Sequence, residues 1–390
     1  MKNVTIISLL MLAVLPVFTW SNENFTNQLE LTSQVQLLHK NENDRVTPFD
    51  YGLTQSLALR VISDISVDDV EGQFHLQLQQ NYSNPSVMLP VFSKNEFRLT
   101  QINNTQDSVF AQIDRANIGF ATGEVEWIVG RQPVSVGVAR MASISQIYQS
   151  NTFAWSSSGY GYGYGVDAVN LNYHIGANDV LNTVVFLNQL GNKNSMLLTR
   201  YQTMLLEQDV SIMLQKTKEL VALNTTIDAY VGNYALWSEL SLYFSTNKDM
   251  PVKNQFRITV GGDYYLKDLY GQVEFHFNSF GCETIKGCSQ SPMFDEYQYT
   301  GQPLVNQQYL YINNSYPITD LSTLVLVTVV NLNEPAIMNQ IIWSVSMNDH
   351  FDWAFMFSNS VVFSDDQVIK TSHEFSYVPV QGTLTAQFYF

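Results

Sequence analysis

Hydrophobic and polar residues alternate with a period of two over most of the chain. Between Asn27 and Lys40, Leu29, Leu31, Val35 and Leu37 take one set of positions and Gln28, Glu30, Thr32, Gln34 and Gln36 the other. Further on, Phe74, Leu76 and Leu78 oppose Gln73, His75, Gln77 and Gln79, and Phe256, Ile258 and Val260 oppose Arg257, Thr259 and Gly261. Val273, Phe275 and Phe277 likewise oppose Glu274, His276 and Asn278. A period of two describes a strand whose faces meet unlike surroundings. The polar face is expected to be Gln, Asn, Thr, His, Arg or Glu throughout.

The connections between these strands sort by length. Short turns rich in Gly, Asn or Asp read out at "ATGEV", "IGANDV", "LEQDV", "LKDL", "ITDL" and "MNDHF", as tight hairpins require. Between them fall long connections at Asn81–Asp107, Arg131–Gly165, Ser279–Asn306 and Phe363–Gln381. A sandwich has no reason to sort its turns, whereas a membrane barrel has short turns on one side and long loops on the other. The pattern predicts an all-β fold, a transmembrane antiparallel up-and-down β-barrel of about eighteen strands. A count of sixteen also fits. Trp127, Trp237, Trp343 and Trp353 are expected in aromatic girdles near strand ends.

The two termini fit the same fold. The N-terminal segment has one Lys, at Lys2, an apolar run from Val4 to Phe18, and small residues Thr19 and Ser21, which reads as a secretory signal peptide over 1–21 with the barrel over 22–390. At the other end, Leu384, Ala386, Phe388 and Phe390 alternate with Thr383, Thr385, Gln387 and Tyr389. This is expected to be the closing strand, because in hydrocarbon every backbone group needs a partner and only a closed sheet provides it. An aromatic-ended last strand resembles the signal read by the outer-membrane barrel-assembly machinery, an expected partner through Phe390. A large plug domain is disfavoured, since the first strand follows almost directly on the leader.

Composition narrows the function. The chain of 390 residues is only 14% charged, with 21 Tyr and 23 Phe, and is poor in exposed-helix surface. Its net charge of −16 argues against nucleic-acid partners, which want a basic stripe. Much of the acid lies in expected connections, at Asp44, Asp50, Asp295, Glu296, Asp365 and Asp366, where it is solvated loop surface or contacts lipopolysaccharide through divalent cations. Cys282 and Cys288, in "GCETIKGCSQ", read as a disulfide stapling a loop in an exported protein. No zinc-helix, phosphate-loop or nucleophile-elbow motif occurs, and no metal or cofactor is expected.

With the apolar face outward, the pore-lining candidates are Arg60, His75, Arg115, Arg200, Glu239, Arg257 and Glu274, with Gln77, Asn117, Asn170 and Asn172. Guanidinium groups in a low-dielectric wall hold carboxylates bidentately and focus potential, so anionic or hydroxylated solutes are the expected cargo. The competing reading is that these charges pair with one another and hydrate the wall. Arg131 falls by strict alternation on the face of Trp127 and Val129; it either lies above the hydrocarbon or is turned inward by a bulge. Arg140 would join it at a constriction if the following loop folds inward. Tyr160, Tyr162 and Tyr164 alternate with glycines and offer stacking faces for sugar rings, or simply belong to an external loop.

The segments "QIDRANIGFATGEVEWIVGRQPVSVGVARM" and "SSSGYGYGYGVDAVNLNYHIG" resemble porin-like barrels of the alginate-export type. The matching residues are Asp114, Arg115, Gly130, Arg131, Gln132, Gly137, Gly165, Val166, Asp167 and Ala168, within a span from Ile113 to Gly176. The loop "ISQIYQSNTFAW" departs from that family's Pro-Asp-rich stretch. The resemblance implies an eighteen-stranded channel in the outer membrane of a Gram-negative bacterium, for small or polymeric polar solutes, often uronic acids or other sugars. A surface adhesion barrel closed by its loops is the alternative, and a barrel hydrolase a lesser one.

Overall fold

The computed structural model describes residues 25–39, 51–84, 98–103, 107–141, 143–145, 165–187, 196–217, 220–246, 254–283, 306–363, 375 and 380–390. The leader, Tyr160, Tyr162, Tyr164, Cys288 and the six loop acids named above lie outside them. The first strands are β1 (Phe25–His39), β2 (Tyr51–Val67), β3 (Val70–Asn84), β4 (Arg98–Asn103), β5 (Asp107–Thr122) and β6 (Val125–Gln132). There follow β7 (Val166–His174), β8 (Val180–Phe186), β9 (Met196–Leu205), β10 (Gln208–Lys216), β11 (Leu220–Val231), β12 (Tyr234–Ser245) and β13 (Asn254–Leu266). The last are β14 (Leu269–Asn278), β15 (Gln308–Thr319), β16 (Ser322–Asn331), β17 (Ala336–Asn348), β18 (Phe351–Val362) and β19 (Val380–Tyr389).

Each strand pairs antiparallel with the next except that β3 pairs directly with β5, and β19 returns to β1 with Val35 opposite Leu384. With β4 set aside, eighteen strands among the described residues close a ring. No helix among the described residues is long and apolar enough to cross a membrane, which says nothing of a barrel.

At one end lie tight turns, several with left-handed backbone at Asp68, Gly123, Leu206, Glu207, Gly232 and Lys267. The six sequence-expected turns all fall here, joined by Asp68-Asp69 and Gly232-Asn233. The other end carries the long connections, but two are short, over 217–219 and 332–335. Strict length alternation therefore fails there. Leu29 and Phe390 exchange backbone hydrogen bonds at 3.1 and 2.9 Å, on the side of the tight turns.

Outward positions form an exposed apolar belt that includes Phe74, Leu78, Ile212, Leu214, Val260, Phe355 and Phe357. So much exposed apolar surface on a closed ring suits contact with lipid. Trp127 stacks near Phe120, and Trp343 meets Trp353 edge-on at 4.9 Å near the tight-turn end, as girdle residues do. Trp237 does not belong there: it is 2% exposed and faces inward, on the row of Glu239 and Ser241.

Candidate functional site

β6 is short because it leaves the wall. Opposite it, β5 carries a bulge at Asp114, where the register slips between the His75–Arg115 and Leu76–Ile113 pairs. A bulge places both of its residues toward one face, so Asp114 and Arg115 both turn toward the interior. Gly130, at φ 118°, takes a conformation that a side chain would oppose, and a Cβ there would overlap the Ala116 carbonyl. Past Gln132 the chain enters the lumen, and Gly165 closes the breach by packing directly on the Asp114 carbonyl. Above it, β4 pairs with the edge of β5 from Gln112 to Ser108 that β6 has vacated.

Inside the barrel, residues 133–141 and 143–145 reach β12 and β14 and are held by two carboxylates. Glu239 is fully buried and accepts from the backbone N–H groups of Val138 (2.6 Å), Ala139 (2.8 Å), Ile144 (2.8 Å) and Ser145 (3.2 Å). The Ser143 and Ser145 hydroxyls lie within 3.1 Å of it as well. Successive backbone N–H groups make an anion nest, and the wall supplies the anion. Gly137 is required here because a Cβ would overlap both Ser143 and Glu239. Glu274 accepts from Arg140 N (3.0 Å), Met141 N (3.3 Å) and Trp237 Nε1 (2.7 Å). The indole reaches Glu274 by lying flat across Gly261 on the strand between them.

Apolar contacts complete the seating. Val134 and Val136 pack with Val166, Ala168, Val184, Phe186, Met196, Leu198, Met213 and Ala222 on the loop-side half of the inner wall. Met141 packs on a second cluster containing Tyr309, Tyr311, Val329 and Met338. The expected uniformly polar inner face is thus corrected: β7 to β11 are apolar inside where the loop covers them and polar below. Asn170, Asn172 and Asn182 form one such polar group, with amide contacts of 2.6 Å. The overlooked signal lies in runs such as Val184-Val185-Phe186 and Met196-Leu197-Leu198, where both faces turn apolar at once.

The predicted charges separate into distinct surroundings. Arg60 faces inward, 3.2 Å from Glu30 and 3.6 Å from Asp114. His75 meets Asp64 at 3.2 Å. Arg200 donates to the Val136 carbonyl at 3.4 Å, beside a cavity of about 50 Å³ bounded by Gln202, Asp209 and Ser211. Arg257 is 1% exposed, bonded to Asn278 at 3.1 Å, with its guanidinium 5.2 Å from the Tyr243 ring and 4.9 Å from that of Phe280. Glu239 and Glu274 face inward beneath the loop, not toward open lumen. Arg131 shares its row with Ala116 and Asp167, bonds Asp167 at 3.2 Å and does not meet Arg140. Arg140 instead reaches Asp228 at 3.0 Å and lies 5.5 Å from the Trp237 ring, its side chain 41% exposed. Cys282 is disulfide-bonded. Among the described residues no cluster of His, Cys, Asp and Glu could hold a metal.

No family model and no curated protein sequence matches the chain. Solved structures do. Acinetobacter baumannii OccAB1 superposes with a TM-score of 0.56 at 10% identity, over 96% of this chain and 98% of that one. Pseudomonas aeruginosa OccD3 (OpdP) gives 0.56 at 8% identity over 96% and 93%. Pseudomonas aeruginosa OprD gives 0.55 at 8% identity over 96% and 97%. The likeness is one of fold, and it does not single out the alginate-export type.

Proposed function

We propose that the chain is an outer-membrane channel of a Gram-negative bacterium, passing small polar solutes through a lumen narrowed by its own loop 133–145. The seating of that loop carries the reading. Sixteen to eighteen strands enclose more space than wall side chains fill, so an aqueous passage remains unless something occupies it. Here a segment anchored by backbone groups sets the cross-section. The resemblance in fold to OccAB1, OccD3 and OprD, porins of the Occ and OprD type, supports the same reading. So does the absence of a catalytic constellation in the sequence, and the channel is taken as non-enzymatic.

The cargo is a small anionic or hydroxylated solute, with sugars and uronic acids as the finer proposal. Arg60, His75 and Arg115 would line its path, and the alginate-export resemblance of residues 113–176 points the same way. Because Arg60 already has carboxylate partners, selectivity is weak. Lipid and lipopolysaccharide surround the belt, and the β19 strand engages the assembly machinery. A second reading, a surface barrel closed by its loops, draws on the extent of inner wall that the loop covers.

Single-channel conductance of the refolded mature chain separates the two. Stable steps, enlarged severalfold when Val138–Ser145 is replaced by a short Gly-Ser linker, are the expected result. A folded barrel that never conducts, with or without the loop, overturns the channel.

A further inference from the structure

The outer face of β16, β17 and β18 carries a polar row where a lipid-facing surface should be apolar. Thr328 lies directly opposite Asn339, and Asn339 opposite Asn359. These residues share outward positions with Leu324, Leu326, Ile341, Phe355 and Phe357, all exposed. Apolar residues continue on both sides of the row. Phe357 and Phe355 lead down to the Trp343–Trp353 pair, while Val361, 42% exposed, and Phe363, 57% exposed, lie above.

Asn359 stands six residues above Trp353. At about 3.3 Å per residue and a tilt of about 40°, that is roughly 15 Å into a belt about 25 Å tall. The row therefore lies inside the belt.

Hydrogen bonding within the row is incomplete. The Thr328 hydroxyl donates to Asn339 Oδ1 at 2.9 Å. The Asn339 side-chain N–H groups and the entire Asn359 carboxamide have no partner among the described residues. Hydrocarbon supplies neither donors nor acceptors, so lipid against this row leaves them unsatisfied. A carboxamide is both donor and acceptor, which makes two copies of one such surface complementary across a twofold axis. Beside the row, Gly382 pairs with Phe357 and opens a dent: the nearest atom to a Cβ there is 4.0 Å away. A facing surface can approach closely at that point. The face at Ile212 and Leu214 on β10 is apolar and needs only lipid.

We propose that the outer face of β16 to β18 is the contact surface for a second copy of this chain, with Asn339 and Asn359 pairing across the membrane-embedded interface. The inference uses the membrane setting of the belt and is independent of whether the lumen conducts.

The test is an Asn359→Cys variant of the full chain, oxidised in its own membrane, beside Leu214→Cys as a control. A disulfide-linked dimer from Asn359→Cys alone is expected. Native mass spectrometry of the wild type after mild detergent extraction should give the dimer mass, and the Asn339→Leu/Asn359→Leu pair should weaken dimerisation at least tenfold while leaving a folded barrel. A monomeric wild type together with no crosslink at position 359 overturns the proposal and leaves the face to lipid. A conducting monomer removes this inference alone, and a dimer that never conducts removes only the channel.

Discussion

At the scale of single residues, charge matters less by sign than by what surrounds it. Glu239 accepts from six donors of the loop, so Glu239→Ala orphans them together. A loss of at least about 3 kcal/mol is expected, since hydrogen bonds to a charged group contribute roughly 1.5–3 each. Denaturant unfolding in detergent should show it, with Glu239→Gln intermediate because it keeps one carbonyl oxygen. Arg257 lies under aromatic rings, so Arg257→Ala should lower stability and leave the reversal potential in a salt gradient unchanged. Arg140 is the informative cation. It holds Asp228, whose cross-strand neighbour is Asp209. Arg140→Ala should therefore shift the reversal potential toward cations; an unchanged value would mean that these acids do not face the ion path.

At the scale of elements, turns and departures from the wall are where backbone demands outrank side-chain pattern. Leu206 and Glu207 both have positive φ, at 53° and 63°, in the two-residue turn joining β9 and β10. Non-glycine residues pay about 1–2 kcal/mol each in that conformation. Replacing the pair with Asn-Gly should raise stability by about 1–2 kcal/mol without altering conductance, and unfolding midpoints would check it. Gly261 exerts the opposite control. In Gly261→Ala the new methyl displaces the Trp237 ring and separates it from Glu274, so the loop loosens and the variant should melt lower than wild type. The turn at Gly123 was legible in the sequence, because Gly states its conformation; Leu206 does not, and only its neighbours "EQD" marked the place.

At the scale of the whole molecule, stability depends on closure. β19 pairs on both sides, with β1 and β18, so no strand of the ring is left with an open edge. A proline at Thr385 removes a ladder donor at the centre of the seam. Thr385→Pro is expected to abolish the compact form that migrates fast on unheated SDS gels, whereas the loop variants should keep it. Retention of that form by Thr385→Pro would mean that the ring tolerates an interrupted seam.

The strands, their outward faces, the tight turns and the closed antiparallel ring were legible in the sequence alone, because period-two alternation and turn chemistry are local and each is repeated many times along the chain. The Asp114 to Ala168 motif was visible as a pattern, yet its purpose was not. Only tertiary structure brought Asp114, Gly130 and Gly165 to the point where β6 leaves the wall, and seated Gly137 against a carboxylate about a hundred residues distant. The same holds for Glu239, Glu274 and Arg257. Alternation puts them on the inner face, but whether an inward charge meets water, a backbone nest or an aromatic ring depends on what folds over it, and that partner is remote in the chain.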